Sequence, residues 1–390
     1  MQASAVVTKT KTEEYRKLFP ITSKLTYLNH AAAGPVSLPV IQAVQTFLTD
    51  RAERGSEAAA DSKALSERTR AKVAAFIGAK PEEIAFMKAT PDGLNAVANG
   101  VRWEKGDNVV LADIEFPANV YPWMNLRDFG VDLTWVKSEN GCISADSVID
   151  AITDRTRVVA LSWVEFHGGF RNDLAKIGAQ CRKRDVFLAV DGIQGLGVLQ
   201  CDVKALNVDF FCAASQKWML APHGIAPFYV RREVLDKIRV AFVGMSGIDQ
   251  GPSYLEYDLR LRANASRFEP GYINQVGISG LEAAVDLFTS VGTDTVEALA
   301  FALATQLVEG LLEQGYIIYG PSDDDERRST VISFRHPTIP ASELVAMLRE
   351  KNIVVSEREE HVRVAPHFYN TPEEVEALLQ TLPSSRGNHA

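Results

Sequence analysis

The sequence predicts an α/β protein with a mostly parallel sheet, followed by a smaller α+β domain. Short apolar runs alternate with helical stretches between residues 109 and 230, which predicts right-handed crossovers and parallel strands. Two of these runs end on Asp191 and Lys217, and open α/β sheets place ligands at such strand ends. After residue 291 the pattern changes to helices around a short strand, which indicates a second domain.

The predicted elements follow one another in a simple order. An amphipathic helix precedes the sheet, because Leu65, Val73, Phe76 and Ile77 mark one face. The apolar runs predicted as strands span residues 109–113, 131–136, 157–164, 186–192, 208–218 and 225–230, with a helix at 173–184. The second domain has helices at 295–312, 342–351 and 372–382 and a strand at 330–334.

These elements divide the chain into four parts. We expect an N-terminal segment at 1–35 that contributes to the active site and the small domain, and a large domain at 36–290. A small C-terminal domain at 291–382 and a frayed tail at 383–390 follow. The acidic and basic run at 323–328 is expected to be a solvated loop.

Composition predicts a soluble, cytoplasmic enzyme. The 390 residues are 46% hydrophobic and 23% charged, which allows a large core, and the net charge of −9 argues against a nucleic-acid or anionic-membrane partner. Residues 1–17 are polar, and no run approaches the roughly 18 apolar residues of a membrane span. The four cysteines lack CxxC spacing, so we expect reduced structural thiols and no metal site.

Asp191 and Lys217 carry the strongest chemical signal. A lysine at a strand end can form a Schiff base, and a carboxylate there can hold a pyridinium nitrogen, the two groups that pyridoxal phosphate (PLP) chemistry requires. Burial between Phe210, Phe211 and Trp218 would depress the pKa of Lys217. Taken alone, Lys217 is compatible with a surface lysine, and Asp191 is compatible with a carboxylate in a turn or at a helix cap. The combination of Asp-Gly-x-Gln with a later Ser-x-Lys-Trp favours PLP.

Further segments support this prediction. They are Tyr27-Leu28-Asn29-His30-Ala31-Ala32-Ala33-Gly34, Lys88-Ala89-Thr90-Pro91-Asp92-Gly93, Glu115-Phe116-Pro117, Arg267-Phe268-Glu269-Pro270-Gly271-Tyr272-Ile273-Asn274 and Arg363-Val364-Ala365-Pro366-His367-Phe368-Tyr369-Asn370-Thr371. With these motifs the chain, over roughly residues 25–380, resembles the class V aminotransferase and cysteine desulfurase family of fold-type I PLP-dependent enzymes. An isopenicillin N epimerase-like branch of that family stays open.

The resemblance implies a fold, a cofactor and an assembly. The fold is that of a fold-type I PLP-dependent transferase, with a mostly parallel seven-stranded sheet in the large domain and a smaller α+β C-terminal domain. The cofactor is pyridoxal 5'-phosphate. The assembly is a homodimer with shared active sites, because the segment 267–274 resembles a loop that reaches the phosphate of the neighbouring subunit.

The resemblance also implies the cofactor-binding residues. They are Thr90, Pro91, Phe116, Asp191, Gln194, Ser215, Gln216, Lys217, Tyr272 and Asn274. Thr90 precedes free helix amides and so suits the phosphate, although an ordinary N-cap is the alternative. Asp191 would keep the pyridine nitrogen protonated, and Gln194 would donate to the phenolate oxygen.

The implied substrate and catalytic residues are fewer. Arg363 and Asn29 bind the substrate, with Arg363 offering a planar fork to the α-carboxylate; a surface salt bridge with Glu359 or Glu360 is its alternative. The catalytic candidates are Lys217, Glu165 and His30. Glu165 is either a second acid/base group or a structural partner of Arg171, and His30 is otherwise a hydrogen-bonded structural residue.

Several positions depart from the family pattern. Phe116 and Gln216 stand where many relatives carry histidine, Glu165 stands where many carry asparagine, and Tyr272 replaces a common threonine. Relatives that form a persulfide carry a cysteine just before the C-terminal arginine motif, whereas this chain has none beyond Cys212. Persulfide chemistry is therefore not expected.

Three classes of function remain at this stage. The first is a PLP enzyme acting on a small or medium α-amino acid, with elimination or transamination favoured over epimerisation because Phe116 cannot supply a second proton. The second is a non-catalytic PLP-fold binding protein. The third, a dinucleotide-dependent oxidoreductase, lacks a Gly-x-Gly-x-x-Gly turn.

Overall fold

A computed structural model describes residues 11–249, 251, 253, 255–321 and 326–385 of the protein. Part of the predicted charged loop and most of the predicted tail lie outside the described residues. The strands are β1 (Thr26–Tyr27), β2 (Ile84–Met87), β3 (Asn108–Ala112), β4 (Asp132–Val136), β5 (Thr156–Ser162), β6 (Phe187–Asp191), β7 (Phe210–Cys212), β8 (Ala226–Val230), β9 (Ile317–Tyr319), β10 (Ile332–Arg335), β11 (Ile353–Val354), β12 (Ser356–Arg358) and β13 (His361–Val364).

The following α-helices accompany these strands. They are α1 (Leu38–Arg54), α2 (Ala59–Phe76), α3 (Thr90–Ala98), α4 (Tyr121–Met124), α5 (Ala145–Asp150), α6 (Leu174–Lys183), α7 (Gln275–Val291), α8 (Thr293–Glu313), α9 (Ala341–Glu350) and α10 (Pro372–Thr381).

The large sheet has seven strands in the order β2-β8-β7-β6-β5-β3-β4. All neighbours from β7 to β4 pair in parallel, and only β8 runs against both of its neighbours. The central strands are buried along almost their whole length, which explains their continuous apolar sequence. The predicted fold class, a mostly parallel seven-stranded sheet, is confirmed.

The small sheet has four antiparallel strands in the order β12-β13-β10-β9. Helices α8, α9 and α10 cover it around a second core that contains Leu307, Phe334, Leu344, Val364 and Leu378. The predicted α+β C-terminal unit is therefore present. Its strands β9, β12 and β13 were not predicted, because runs of three or four residues carry too little periodicity.

The N-terminal segment crosses between the two units. Strand β1 pairs in parallel with β11 of the small unit, and Leu28 lies in the small core. Phe19, by contrast, belongs to the large core. The segment that follows β1 is thereby held at the junction, where residues 29–34 meet the carboxyl ends of the large sheet.

Helix α8 is 21 residues long and, by length and composition alone, is apolar enough to cross a membrane. The sequence analysis did not single it out as such a segment. Its buried residues Val296, Ala300, Leu303, Leu307 and Leu311 recur at helical spacing and face the protein core. This pattern is that of a core helix that connects the two units.

Candidate active site

Asp191 and Lys217 lie at the carboxyl edge of the large sheet, as predicted. Asp191 is the last residue of β6, is 2% exposed, and accepts a hydrogen bond of 2.9 Å from the N–H of Ile193. Lys217 lies in the loop after β7, with Nζ 5.5 Å from the centroid of the Phe116 ring. No direct ion pair joins Asp191 to Lys217 in the described part of the chain. The two side chains interact only through longer-range electrostatic attraction.

The protein environment shifts the pKa values of Lys217 and Asp191 toward pH 7. Burial lowers the pKa of Lys217 to about 8, against the attraction of Asp191 and with a further lowering by the charges of Arg363 and Arg358. Burial raises the pKa of Asp191 to about 6, against the Ile193 N–H and Lys217. A large share of the amine is therefore neutral near pH 8, which suits a nucleophile and proton carrier.

The start of α3 supplies the predicted phosphate end of the site. Ala89 occupies the N-cap position, so Thr90 is the first helical residue and not the cap. The Thr90 hydroxyl oxygen accepts a hydrogen bond of 2.9 Å from the N–H of Ala214, which ties the helix start to the loop that carries Lys217. Pro91 follows in the first turn and has no N–H to donate.

Ser215 provides a test of whether the residues fit a bound anion. Its hydroxyl is fully buried and has no hydrogen-bond partner among the described residues. Leaving such a group unpaired costs roughly 1–3 kcal/mol, a cost that a phosphate oxygen would remove. Gln216, next in the chain, is only partly buried, and its backbone oxygen accepts from the N–H of Gly34 at 2.8 Å.

Gln194 is held in one orientation. The indole N–H of Trp218 donates to its Oε1 at 2.8 Å, and its Nε2 donates to the backbone oxygen of Ala31 at 3.0 Å. Since Nε2 carries two hydrogens, one N–H stays available for an acceptor such as a phenolate oxygen.

Gly34 is a site residue whose role the sequence did not reveal. A Cβ atom at this position would lie 2.2 Å from the backbone oxygen of Lys217 and 2.5 Å from the Leu220 side chain. The segment after β1 therefore packs against the lysine loop so closely that only glycine fits.

Phe116 forms one wall of the site. Its ring is 40% exposed and packs edge to face on the Phe166 ring, with centroids 5.1 Å apart. An exposed aromatic ring beside the Lys217 amine is suited to stacking on a planar heterocycle. Phe166 was missed by the sequence analysis, because nothing in its local pattern distinguishes it from a core residue.

Arg363 lies on β13 and is almost completely buried. Its Nη1 donates a hydrogen bond of 2.7 Å to the backbone oxygen of Phe166, whereas its Nε has no partner among the described residues. The predicted alternative, a salt bridge with Glu359 or Glu360, is absent from the described ion pairs. No carboxylate among the described residues pairs with this guanidinium, and burial together with the charge of Arg358 lowers its pKa to about 9.

Glu165 belongs to a buried acidic cluster. Its Oε1 accepts from Asn172 Nδ2 at 2.8 Å, and its Oε2 has no hydrogen-bond partner within 3.5 Å among the described residues. Burial, the neighbouring Glu115 and Asp191 raise its pKa well above the usual range. The structural alternative, a pair with Arg171, is wrong, since the Arg171 side chain donates to the backbone oxygen of Glu326.

Glu115 is the second member of this cluster and was not predicted as a site residue. It accepts hydrogen bonds from the N–H and the hydroxyl of Ser162, both at 2.7 Å, and from Asn119 at 2.9 Å. Burial raises its pKa to about 7 despite these donors. Because Ser162 pairs with Asp191 across β5 and β6, Glu115 is linked to the strand end that carries Asp191.

The hydrogen bonds of His30 favour the structural alternative over the catalytic one. Its Nδ1 is 2.7 Å from the backbone oxygen of Ala365 and its Nε2 is 2.6 Å from the Tyr369 hydroxyl. Both nitrogens are used, and burial lowers the pKa to about 4. The adjacent Asn29 differs, because its Oδ1 is buried without a partner among the described residues and so is free to bind a ligand.

Tyr272 and Asn274 are not brought to Lys217 within one chain. Tyr272 is 92% exposed, and Asn274 caps α7 while donating to the backbone oxygen of Gly224 at 3.0 Å. Both line a surface cavity of about 660 Å³ together with Lys88, Phe242 and Phe268, and Lys217 is not part of its lining.

The four cysteines are free thiols, and none offers a nucleophile to the site. Cys212 ends β7 beside Asp191, but burial raises its pKa well above the usual range. Burial likewise raises the pKa of Cys181 to about 12.

Comparison with known proteins identifies the class to which this fold and site belong. The family model for aminotransferase class-V matches residues 26–378, and the chain is therefore a member of that family. Membership confirms the predicted family, the PLP-dependent class of enzyme and its cofactor, pyridoxal phosphate. The non-catalytic and dinucleotide-dependent alternatives are set aside.

The relatives cover almost the whole length of the chain. A probable cysteine desulfurase of Methanothermobacter thermautotrophicus is 29% identical over 97% of this chain and 98% of its own. The uncharacterized aminotransferase YcbU of Bacillus subtilis is 26% identical over 95% and 97%. The apo structure of a cysteine desulfurase from Thermococcus onnurineus superposes with a TM-score of 0.86 at 27% identity, over 94% of this chain and 96% of that one.

Proposed function

We propose that this protein catalyses a reaction at Cα of a small or medium α-amino acid, in which Lys217 moves the Cα proton and the outcome is elimination or transamination. Bound PLP would supply the electron sink that makes this proton acidic. The other contributions come from the chain itself: carboxylate binding by Arg363, proton transfer by Lys217 and the charge of Asp191.

The observation that carries this proposal is the unpaired guanidinium of Arg363. It is 2% exposed, has an Nε without a partner, and pairs with no described carboxylate. A charge buried without a counter-ion is costly, and a bidentate carboxylate ligand removes that cost. Its charge also contributes to the lowered pKa of Lys217, so a carboxylate bound there would lie within electrostatic range of the reacting amine.

Three side chains would act on the substrate: Arg363 and Asn29 would bind it, and Lys217 would transfer its proton. Arg363 binds the α-carboxylate, and the Oδ1 of Asn29, which has no partner among the described residues, accepts a hydrogen bond from the α-amino group of the incoming substrate. Lys217, with a pKa of about 8, then removes and returns a proton near neutral pH.

The cofactor-binding residues would contact three parts of PLP, namely its phosphate, its ring heteroatoms and the face of its ring. Thr90, Pro91, Ser215 and Gln216 form the phosphate end, where the unpaired Ser215 hydroxyl is the clearest donor. Asp191 holds the ring nitrogen, and the second N–H of Gln194 donates to the ring oxygen. The exposed face of Phe116 stacks on the ring.

A cytoplasmic homodimer is part of the proposal. Tyr272 and Asn274 lie on the surface, away from Lys217, and large apolar side chains are exposed in the preceding segment. These are Phe242, Val243, Met245, Leu255, Tyr257 and Leu259. An exposed apolar patch of this kind favours an interface with a second copy, whose Tyr272 and Asn274 would complete the phosphate end. Sedimentation equilibrium showing an active monomer would contradict it.

Epimerisation is the alternative reaction, and it depends on Glu165. Phe116 has no titratable group and His30 uses both nitrogens, so neither supplies a second proton. Glu165 is a buried acid whose Oε2 has no partner among the described residues, and burial raises its pKa well above the usual range, which favours the protonated form. It is the remaining second donor among the predicted residues.

One experiment separates these outcomes. The holoenzyme is screened against α-amino acids by near-visible absorbance, and products are identified by mass spectrometry. Keto acid and ammonia formed without an acceptor indicate elimination, amino transfer that requires a keto acid indicates transamination, and the opposite enantiomer indicates epimerisation. Absence of any spectral change with every α-amino acid would refute the proposal.

A further inference from the structure

The small sheet presents a polar face next to Arg363. Tyr319 pairs with Ser333, Ser333 with Arg363, and Arg363 with Ser356, so these four side chains point to the same side. Alternation along β12 and β13 puts Arg358 and its partner His361 on that side as well. The side chain expected to bind the α-carboxylate is therefore one member of a larger polar surface.

Arg358 brings a second guanidinium to this surface without a counter-ion. Its only described hydrogen bond is from Nη1 to the backbone oxygen of Glu357, at 2.6 Å. Glu357 points to the opposite face, and the exposed Glu359 and Glu360 form the tight turn with positive φ values of 45° and 66°. None of these carboxylates makes a described ion pair with Arg358.

Arg358 lies on the same face of the small sheet as Arg363. Its positive charge contributes to the lowered pKa values of Lys217, Arg363 and His167. Diagonal neighbours on an antiparallel pair have Cβ atoms roughly 7–8 Å apart, which places Arg358 and Arg363 within reach of one small molecule. Two like charges at this separation repel each other unless an anion lies between them.

Neutral polar groups surround the two arginines. His167 stacks on Tyr319 with centroids 4.3 Å apart and lies 5.0 Å from the His361 ring. The Nε2 of His167 and the hydroxyl of Ser356 are buried and have no partner among the described residues. The Ser356 hydroxyl can donate a hydrogen bond to an oxygen of an anion without adding charge, and neutral His167 can do so in the tautomer that carries its hydrogen on Nε2.

We propose that Arg358, His167 and Ser356 form a second anion subsite, and that the substrate is an α-amino acid whose side chain ends in a carboxylate or a similarly charged oxyacid. This inference rests on the proposed function, because Arg363 is taken to hold the α-carboxylate. A substrate with one carboxylate neutralises one guanidinium, whereas an acidic amino acid neutralises both. The subsite therefore selects the acid over its neutral isostere.

Binding of substrate-like acids to the holoenzyme tests this subsite. Succinate and glutarate are compared with their monoamides, which have the same shape and one charge less, by titration calorimetry. We expect at least one diacid to bind about tenfold or more tightly than its own monoamide, as expected for a charge-assisted pair. In Arg358→Gln the preference should fall to near one, with monoamide binding retained.

The control is Arg349→Gln, which removes an exposed arginine from α9 of the same unit and should leave the preference unchanged. Equal binding of diacid and monoamide, no binding of either, or a preference that survives in Arg358→Gln would overturn the subsite. Failure of the proposed function has a different signature, namely a holoenzyme whose near-visible absorbance does not change with any α-amino acid. This absorbance test is run on the wild type and both variants before titration.

Discussion

Arg363 donates a hydrogen bond of 2.7 Å to the backbone oxygen of Phe166. This bond joins the small sheet to the loop after β5, and the Phe166 ring in turn supports Phe116. The guanidinium is thereby fixed in direction, with its Nε left unpaired. The proposed carboxylate site and the proposed ring-stacking wall are therefore held by one loop, so the geometry of the substrate and that of the cofactor depend on each other.

Replacing Arg363 tests carboxylate binding. We expect Arg363→Ala to lose about 1.5–3 kcal/mol of binding, or roughly ten- to hundredfold in KM, because a bidentate charged contact is lost. Arg363→Lys keeps the positive charge but loses the planar, bidentate geometry of the guanidinium, so its KM should also rise. Kinetics are measured with an amino acid and with its decarboxylated amine. Equal losses with both substrates would show that the arginine does not bind the carboxylate.

Asp191→Asn tests the control of the ring nitrogen. The variant should still bind PLP, because the phosphate end and Lys217 are untouched. It should lose most of kcat, since a neutral amide no longer favours a protonated ring nitrogen. Cofactor content is measured by absorbance after alkaline release, and rates by steady-state kinetics. Near-normal kcat in the variant would count against the assignment.

The lowered pKa of Lys217 predicts how cofactor binding depends on pH. The neutral amine is the nucleophile, so the rate of PLP attachment to the cofactor-free protein should rise with pH and level off above the lysine pKa of about 8. Stopped-flow absorbance between pH 6 and 10 measures this rate. A rate that keeps rising up to the ordinary lysine value near 10.4 would contradict the buried, depressed amine.

The close approach at Gly34 predicts a packing effect. In Gly34→Ala the new Cβ would lie 2.2 Å from the Lys217 backbone oxygen, so the lysine loop must shift. We expect a loss of about 1–3 kcal/mol in the free energy of unfolding, together with weaker PLP binding. Urea denaturation is the measurement. Gly271→Ala, whose Cβ meets no atom within 4 Å in the chain, is the matched control.

The sequence predicts the central strands of the large sheet well, because β3, β5 and β6 are apolar and buried on both faces. It also predicts the positions of Asp191, Lys217 and Thr90, which follow such strands or begin a helix. His30 could not be assigned from sequence: its partners Ala365 and Tyr369 lie more than three hundred residues away. Glu115 and Phe166 were missed because their importance comes from contacts across strands. The short strands β12 and β13, which hold Arg358 and Arg363, have too few residues to show a period.

The central claim is that Lys217 carries the cofactor, and borohydride reduction of the holoenzyme tests it most directly. After reduction and proteolysis, peptide mapping should find the pyridoxyl group on Lys217, and Lys217→Ala should lose both this label and all turnover. Lys183→Ala, at an exposed lysine on α6, is the control and should keep both. A label on another lysine, or near-visible cofactor absorbance and turnover retained in Lys217→Ala, would contradict the account.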